Sequence, residues 1–494
     1  MRLVPAALTG WLVTAAGIVW PVGDVLAATG AAIGLATAGL ATVMRHRPRV
    51  RAVSAALAAV GVVAAGFGFA IAVRGNAVAH HPITAAYGTA AQVTVTPSES
   101  ALSLSRGRVM IRATLHQVNG REASGRVVVF ARASDFGDVM VGQPVRFRAR
   151  ITRPTRHDLT VATLNAIGEP TVGRAAPVYR AAQAVRDRFA AAARRELPAE
   201  QAAMLPALVL GDTSAVTTMT SREFRVAGMT HLTAVSGANV TIVCGAVLFS
   251  ARLIGPRAAV VLAALALGVF VIVVQPTASV LRAAVMGAIA LAGVLSSRRR
   301  QALPALSAAV LALMVAAPQL AVDVGFALSV VATAALVLIA PVWSRRLVSA
   351  GWPKSLADAV SVAGAAQLVT APLIAGISAR VSLVAAVANL AVAALIAPIT
   401  VLGSAAAALC VCWPAGGSVL IRFTGPELWW VLHIAHWSAA LPAASVPVPS
   451  GLGGVVLVGA VAVLVVSLWR WRWFRTTTAV AGFGLLAWAL LRLV

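Results

Sequence analysis

Apolar positions recur in long unbroken runs along this chain, and a run of about 20 helical residues crosses roughly 30 Å of hydrocarbon. Three such runs come first, at 4–22, 25–44 and 52–73. A polar stretch follows from about 75 to 230. Apolar runs then return at 232–253, 258–274, 278–295, 303–317 and 324–343. Further runs occupy 356–377, 381–397, 399–413, 455–468 and 479–491. The pattern predicts a polytopic α-helical membrane protein with about 11–13 transmembrane helices. The first run is too long and uniform for a cleaved signal peptide.

The polar stretch changes period. Alternating runs at 92–96, 109–118, 126–131, 145–151 and 159–167 predict five short strands, and Asn119-Gly120 between two of them is a hairpin signal. Five strands of this size suit an inserted small all-β OB-like domain over residues 75–175. In one strand Val145, Phe147, Ala149 and Ile151 point one way, and Arg146, Arg148 and Arg150 point the other. A solvated face explains that alternation. So does a phosphate track, because three arginines on one face repel each other unless something anionic lies nearby. Residues 88–173 hold eleven arginines against six acids, which keeps both readings open. Aromatic residues are scarce, and Phe147 is expected to face inward, so base stacking is poorly supported. Residues 177–200, with Arg186, Arg188, Arg194 and Arg195, read as an amphipathic helix along the outer membrane surface. They belong to a connector over 176–230.

Composition agrees with the membrane reading. The 494 residues are 60% hydrophobic and 11% charged, with mean hydropathy +0.89. Forty Lys+Arg against 15 Asp+Glu give a net charge of +25, and Lys354 is the only lysine. Basic loops fix orientation in a membrane, so the charge is only partial evidence for an anionic partner. Arg45, Arg47, Arg49 and Arg51 place the second loop in the cytoplasm. The N-terminus is then inside and the β domain outside, in the cytoplasmic membrane. Counting onward puts Arg252 and Arg257, Arg298 to Arg300, Arg345, Arg346 and Lys354, and Arg470, Arg472 and Arg475 inside as well.

The stretch 414–450 breaks the apolar pattern with proline, glycine, Trp429, Trp430, His433, His436 and Trp437. It reads as an interfacial helix with an aromatic belt. No carboxylate or thiol completes a metal site around His433 and His436, so no metal is expected. The organisation is thus three helices over 1–74, the β domain over 75–175 and the connector over 176–230. A membrane core over 231–413 and a C-terminal segment over 414–494 follow.

Five ordered elements then stand out. They are Leu208-Val209-Leu210-Gly211-Asp212 with Phe224 to Gly228; Thr230 to Val240, containing His231, Ser236, Gly237 and Asn239; Pro276 to Met286, containing Leu281-Arg282-Ala283; Asp323 to Ser329; and Ala366-Gln367 to Pro372 with Ala388-Asn389-Leu390 to Pro398. Together they resemble the ComEC family of DNA-uptake channels over roughly residues 50–410. The resemblance implies passage of single-stranded DNA through the cytoplasmic membrane during natural transformation. Many members carry a metallo-β-lactamase-like nuclease domain. No His-x-His-x-Asp-His cluster occurs in this sequence, so the chain is expected to be a channel and not the nuclease. Members often have a disulfide outside the membrane; Cys244, Cys410 and Cys412 lie in apolar runs, so none is expected here.

Polar groups in hydrocarbon face a partner or a wet cavity. His231, Ser236, Gly237, Asn239, Gln275, Arg282, Asp323, Gln367 and Asn389 are therefore read as lining a translocation path. Gly228 and Gly237 are expected to bound a broken helix, which is tolerated at membrane depth where it lines a cavity. Arg282 either pairs with Asp323 across helices or snorkels to the interface. An intramembrane hydrolase using His231 and Ser236 is disfavoured. Five helical residues separate them by about 140°, and no acid orients the histidine. A permease for another solute would need no basic outer domain. No Gly-x-x-x-x-Gly-Lys loop occurs, so no cofactor is expected, and either a motor or helicase is a separate protein or the driving force is indirect. The remaining expected partners are single-stranded DNA and membrane lipid. A separate nuclease and a homo-oligomer stay open.

Overall fold

A computed structural model describes residues 3–44, 46–275, 278–295 and 302–468, together with Trp471 and Thr477. The apolar run 479–491 and the arginine clusters at 298–300 and 470–475 lie outside the described residues.

Helices α1 (Leu3–Val19), α2 (Gly23–Val43) and α3 (Pro48–Ala79) open the chain. A methyl group on Gly61 of α3 would stand 2.6 Å from the Gly34 backbone of α2. Small residues permit such close backbone approach, and in lipid van der Waals packing of this kind holds helices together.

The polar stretch folds as β1 (Ala90–Pro97), β2 (Leu102–Leu104), β3 (Arg108–Val118), β4 (Arg121–Arg132), the single-turn α4 (Ala133–Phe136), β5 (Val145–Thr152) and β6 (Thr160–Val172). The sheet order is β1-β5-β6-β4-β3-β2, and a further β1–β3 pairing closes five strands into a barrel. Every pairing is antiparallel except β4 with β6. That is the five-stranded arrangement of an OB-like barrel, and its closing strands fall on the five alternating runs. Asn119 and Gly120 take positive φ values of 49° and 78°, as a two-residue hairpin turn of the primed type requires. Val145, Phe147, Ala149 and Ile151 are buried, while Arg146, Arg148 and Arg150 are exposed. Each large apolar side chain buried this way contributes about 1.5–3 kcal/mol. The inward row fixes β5, and the arginines are left to face out.

The connector forms α5 (Pro177–Glu196), α6 (Ala199–Leu210), α7 (Thr218–Val226) and the single-turn α8 (Thr230–Thr233). Here the amphipathic helix expected over 177–200 turns its apolar stripe onto the other helices. Ala182, Arg186, Phe189 and Ala193 are buried on one stripe of α5, and Phe189 and Ala193 belong to the main helical core. The stripe finds a solid partner in α6, where Met204 to Leu210 are all buried.

The core continues through α9 (Gly237–Ala251), α10 (Pro256–Val274), α11 (Ala278–Leu295), α12 (Ala302–Ala316), α13 (Val324–Leu338), α14 (Ala340–Ser349) and α15 (Lys354–Ser378). It ends with β7 (Arg380–Ser382), α16 (Ala385–Cys412), α17 (Pro414–Phe423), α18 (Gly425–Ala440), β8 (Ser445–Pro447) and α19 (Leu452–Leu468). Six described helical segments are long and apolar enough to span a membrane: Gly23–Val43, Pro48–Ala86, Pro256–Val274, Val324–Ser349, Lys354–Ser378 and Ala385–Cys412. Shorter apolar helices, including Leu3–Val19, Gly237–Ala251, Ala302–Ala316 and Leu452–Leu468, accompany them. The chain is a polytopic helical membrane protein with an inserted β-barrel.

Two details differ from the sequence pattern. The runs 381–397 and 399–413 are not two helices. After β7 they form the single helix α16, with Pro398 inside it. Proline removes one hydrogen bond there, and neighbouring helices make this tolerable in a membrane protein. The stretch 414–450 doubles back along α16. Gly417 lies against Cys410, and Trp430 Nε1 donates to the Ala391 carbonyl at 3.2 Å. Strand β8 then pairs antiparallel with β7, Ser445 opposite Ser382. The pairing returns the chain to the level it left, so the number of membrane crossings between residues 382 and 445 is even. The arginine count assumed the same parity.

Candidate functional site

Polar side chains converge where α6, α9, α11 and α13 meet. The chain reaches this point through a broken helix. Gly228 turns with φ +70°, and α8 makes one turn. Ser236 is extended, and α9 starts at Gly237. The break lies between two glycines, as expected. It also separates His231 on α8 from Ser236 at the N-cap of α9, so they do not share the continuous helix assumed in setting the hydrolase reading aside.

Ser236 does not cap α9. Its hydroxyl donates to Asn239 Oδ1 at 3.2 Å. Asn239 is buried, and its Nδ2 donates to the Leu208 carbonyl at 3.0 Å. Leu208 lies in the last turn of α6, whose carbonyls have no partner within the helix. Asn239 thereby ties the start of α9 to the end of α6.

Arg282 reaches the same place from α11 and is only 5% exposed. Its Nε donates to Ser329 Oγ at 2.8 Å, and its Nη1 donates to Thr333 Oγ1 at 3.1 Å and approaches Met286 Sδ at 3.2 Å. A methyl group on Gly237 would stand 3.0 Å from Nη2. Arg282 therefore neither pairs with Asp323 nor snorkels. Two hydroxyls one turn apart on α13 hold it inside.

Asp323 has a different role. Its carboxylate accepts from the Phe326 N–H at 2.8 Å and caps α13. Its charge also acts on Arg126 of the barrel. Burial pushes the Arg126 guanidinium below its ordinary pKa, and Asp158, Glu99 and Asp323 oppose that shift. Gln275 closes α10 with φ +73° and accepts from the Ser100 hydroxyl in the β1–β2 loop. The two residues brace the barrel against the helices.

The rest of the expected path is dispersed. His231 is exposed on α8. Asn389 Nδ2 donates to the Gly228 carbonyl at 3.4 Å, and its Oδ1 is buried without a partner. Gln367 sits half-buried on α15. Arg146, Arg148 and Arg150 line the outer face of the barrel. Across from them on β1 stand Thr94, Gln92 and Ala90, and on β6 Thr171, Ile167 and Asn165, with no carboxylate among these neighbours. Arg146 donates to Gln92 Oε1 at 2.9 Å. Among the described residues no group of three His, Cys, Asp or Glu side chains is placed to hold a metal ion.

Sequence reasoning missed Arg186, Ser329 and Thr333. Arg186 is 5% exposed; its Nη1 donates to the carbonyls of Leu210 at 3.0 Å and Val273 at 3.2 Å, and its Nη2 lies 3.6 Å from Asp212. The spacing of Ala182, Arg186, Phe189 and Ala193 marks one helical stripe and would have found it. Ser329 closes a motif already noted, and Thr333 is one turn further along.

Residues 208–473, just over half of the chain, match the family model described as Competence protein. The chain belongs to the competence protein family. No curated protein and no solved structure matches it. The matched stretch opens at Leu208, the residue whose carbonyl Asn239 holds, and it contains every residue of the Arg282 cluster. Membership gives this competence protein a general role in DNA uptake. The barrel and α1 to α3 precede the matched stretch.

Proposed function

We propose that this competence protein is the path by which single-stranded DNA crosses the cytoplasmic membrane, with the N-terminus inside and the barrel outside. The observation that carries the reading is the row Arg146, Arg148 and Arg150, exposed on one strand with no carboxylate on the paired positions of either neighbour. Like charges in that register are unfavourable by themselves, and a polyphosphate chain neutralises them. The barrel's arginines receive the strand, and the polar junction around α9 passes it on. A nuclease and a motor or helicase act as separate partners, and the chain performs no catalysis itself.

The orientation rests on Arg47 in the α2–α3 link with Arg49 and Arg51 at the start of α3, and on Arg252 in the α9–α10 link with Arg257 at the start of α10. A reporter active only outside the cell should give signal when fused within 88–173 and none between Arg252 and Arg257. The reverse pattern would sink the orientation. Function is tested by deleting the gene and scoring transformation and entry of labelled DNA. Both should be lost, and the variant with all three barrel arginines changed to glutamine should restore them only in part. Unimpaired transformation by the deletion strain would reject the DNA path.

A further inference from the structure

The start of α9 carries positive potential twice over. Among the described residues no side chain caps its first turn, so the amide groups of Gly237, Ala238 and Asn239 lie at the positive end of the helix dipole. Against the same turn lies the Arg282 guanidinium, 95% buried, with Nη2 aimed at Gly237. Among the described residues no carboxylate pairs with Arg282, and Nη2 has no hydrogen-bond partner. Ser329, Thr333 and Met286 are neutral. They orient the guanidinium without cancelling its charge. Buried charges are ordinarily paired, because an isolated one costs several kcal/mol. A cation beside an uncapped helix start therefore favours an anion at this point. Gly237 keeps it open, since any larger residue would place carbon within 3.0 Å of Nη2.

We propose that the first turn of α9 and the Arg282 guanidinium form a subsite for one backbone phosphodiester of the passing strand. The proposal rests on the DNA-path reading above. Backbone amides take one phosphate oxygen, and the guanidinium donates to another through a charge-assisted hydrogen bond. Recognition by charge and geometry alone is independent of base sequence, as a conduit requires. One phosphate at a time is held, by a guanidinium fork that the Ser329 and Thr333 hydroxyls keep in position.

The test uses the full chain in phosphatidylcholine nanodiscs with a fluorescent thymidine 20-mer. Arg282→Gln removes the charge, while Gly237→Ala leaves Arg282 in place and narrows the gap. Both should weaken binding by about tenfold, and Arg282→Gln should lower the salt slope by about 0.7. A 20-mer with uncharged methylphosphonate linkages should bind wild type and Arg282→Gln alike. Binding of the 20-mer should also raise the unfolding temperature of wild type more than that of Arg282→Gln, a difference that a purely structural arginine would not produce. Folded variants with wild-type affinity and slope would overturn the subsite while leaving the DNA path standing. Loss of phosphatidylglycerol binding with unchanged 20-mer binding would overturn it in favour of a lipid headgroup. A wild-type chain that binds no 20-mer at low salt would overturn the subsite and the DNA path together.

Discussion

Arg186 and Arg282 are buried to the same degree, each 5% exposed, and their surroundings are opposites. Arg186 sits between the C-terminal ends of α6 and α10, whose carbonyls it binds, with Asp212 alongside. Helix C-termini are negative, so the carbonyls and the carboxylate all favour the cation. Arg282 sits at the start of α9, which is positive, and its partners are hydroxyls and a thioether. The first arginine completes a structure. The second is a cation with neutral partners, which is why an anion is proposed there. Burial alone does not distinguish these roles; the sign of the surrounding charge does.

The largest effect expected from this contrast is on folding. Arg186→Met leaves two helix-end carbonyls without their donor and Asp212 with only Ser214, and breaking a buried pair from one side costs about 3 kcal/mol or more. Thermal unfolding in detergent should show a large drop. An unchanged unfolding temperature would mean that Arg186 is as dispensable to the fold as a surface residue.

Arg282→Met should cost less, about 1 kcal/mol. Thr333 already donates to the Ser329 carbonyl at 2.8 Å, so its hydroxyl is not orphaned when the guanidinium goes. The substitution also removes a buried charge that no carboxylate balances. A loss equal to that of Arg186→Met would erase the distinction drawn between the two sites.

These two arginines also show what was legible in the sequence. The barrel was readable because strand alternation and an Asn-Gly turn are local signals, and β5 follows its pattern residue by residue. The broken helix was readable from Gly228 and Gly237. The partner of Arg282 was not, because Asp323 and Ser329 stand in one motif and sequence distance does not reveal which of them faces α11. Opposite charge suggested Asp323; helix capping had already claimed it. The course of 414–450 was hidden for a similar reason. An aromatic belt and a helix returning along α16 share one composition, and the contacts of Gly417 and Trp430 with α16 and the β7–β8 pairing separate them.

A smaller effect lies at the far end of α5, where Arg422 Nε stands 2.6 Å from Glu196 Oε2. Hydrogen bonds from Arg422 and then Ser418 hold the Glu196 carboxyl below its ordinary value of 4.5. A depressed acid stabilises the fold above its unfolded pKa, and that contribution is lost as pH falls through its folded value. Between about pH 5 and pH 3, wild type should therefore lose more unfolding temperature than Glu196→Gln. Parallel curves would show that the pair adds nothing to how α5 holds α17.

The smallest effect on folding is expected at the barrel, where arginine is used in a third way. Arg146, Arg148 and Arg150 are exposed, and their strand is fixed by the side chains pointing the other way. Surface substitutions of this kind change stability by about 0.5 kcal/mol or less. Changing all three to glutamine removes their mutual repulsion and loses one donor to Gln92, two small terms of opposite sign. The folded state should be almost indifferent. Binding should not be. If each arginine meets one phosphate, the salt slope for a single-stranded oligonucleotide should fall by about 0.7 per residue changed, whatever its base sequence. A flat fold with a reduced slope makes the barrel a receiving surface and leaves Arg282 as the proposed subsite beyond it. A flat fold with an unchanged slope makes the three arginines a solvated face, and the first contact with DNA then moves inward to the start of α9.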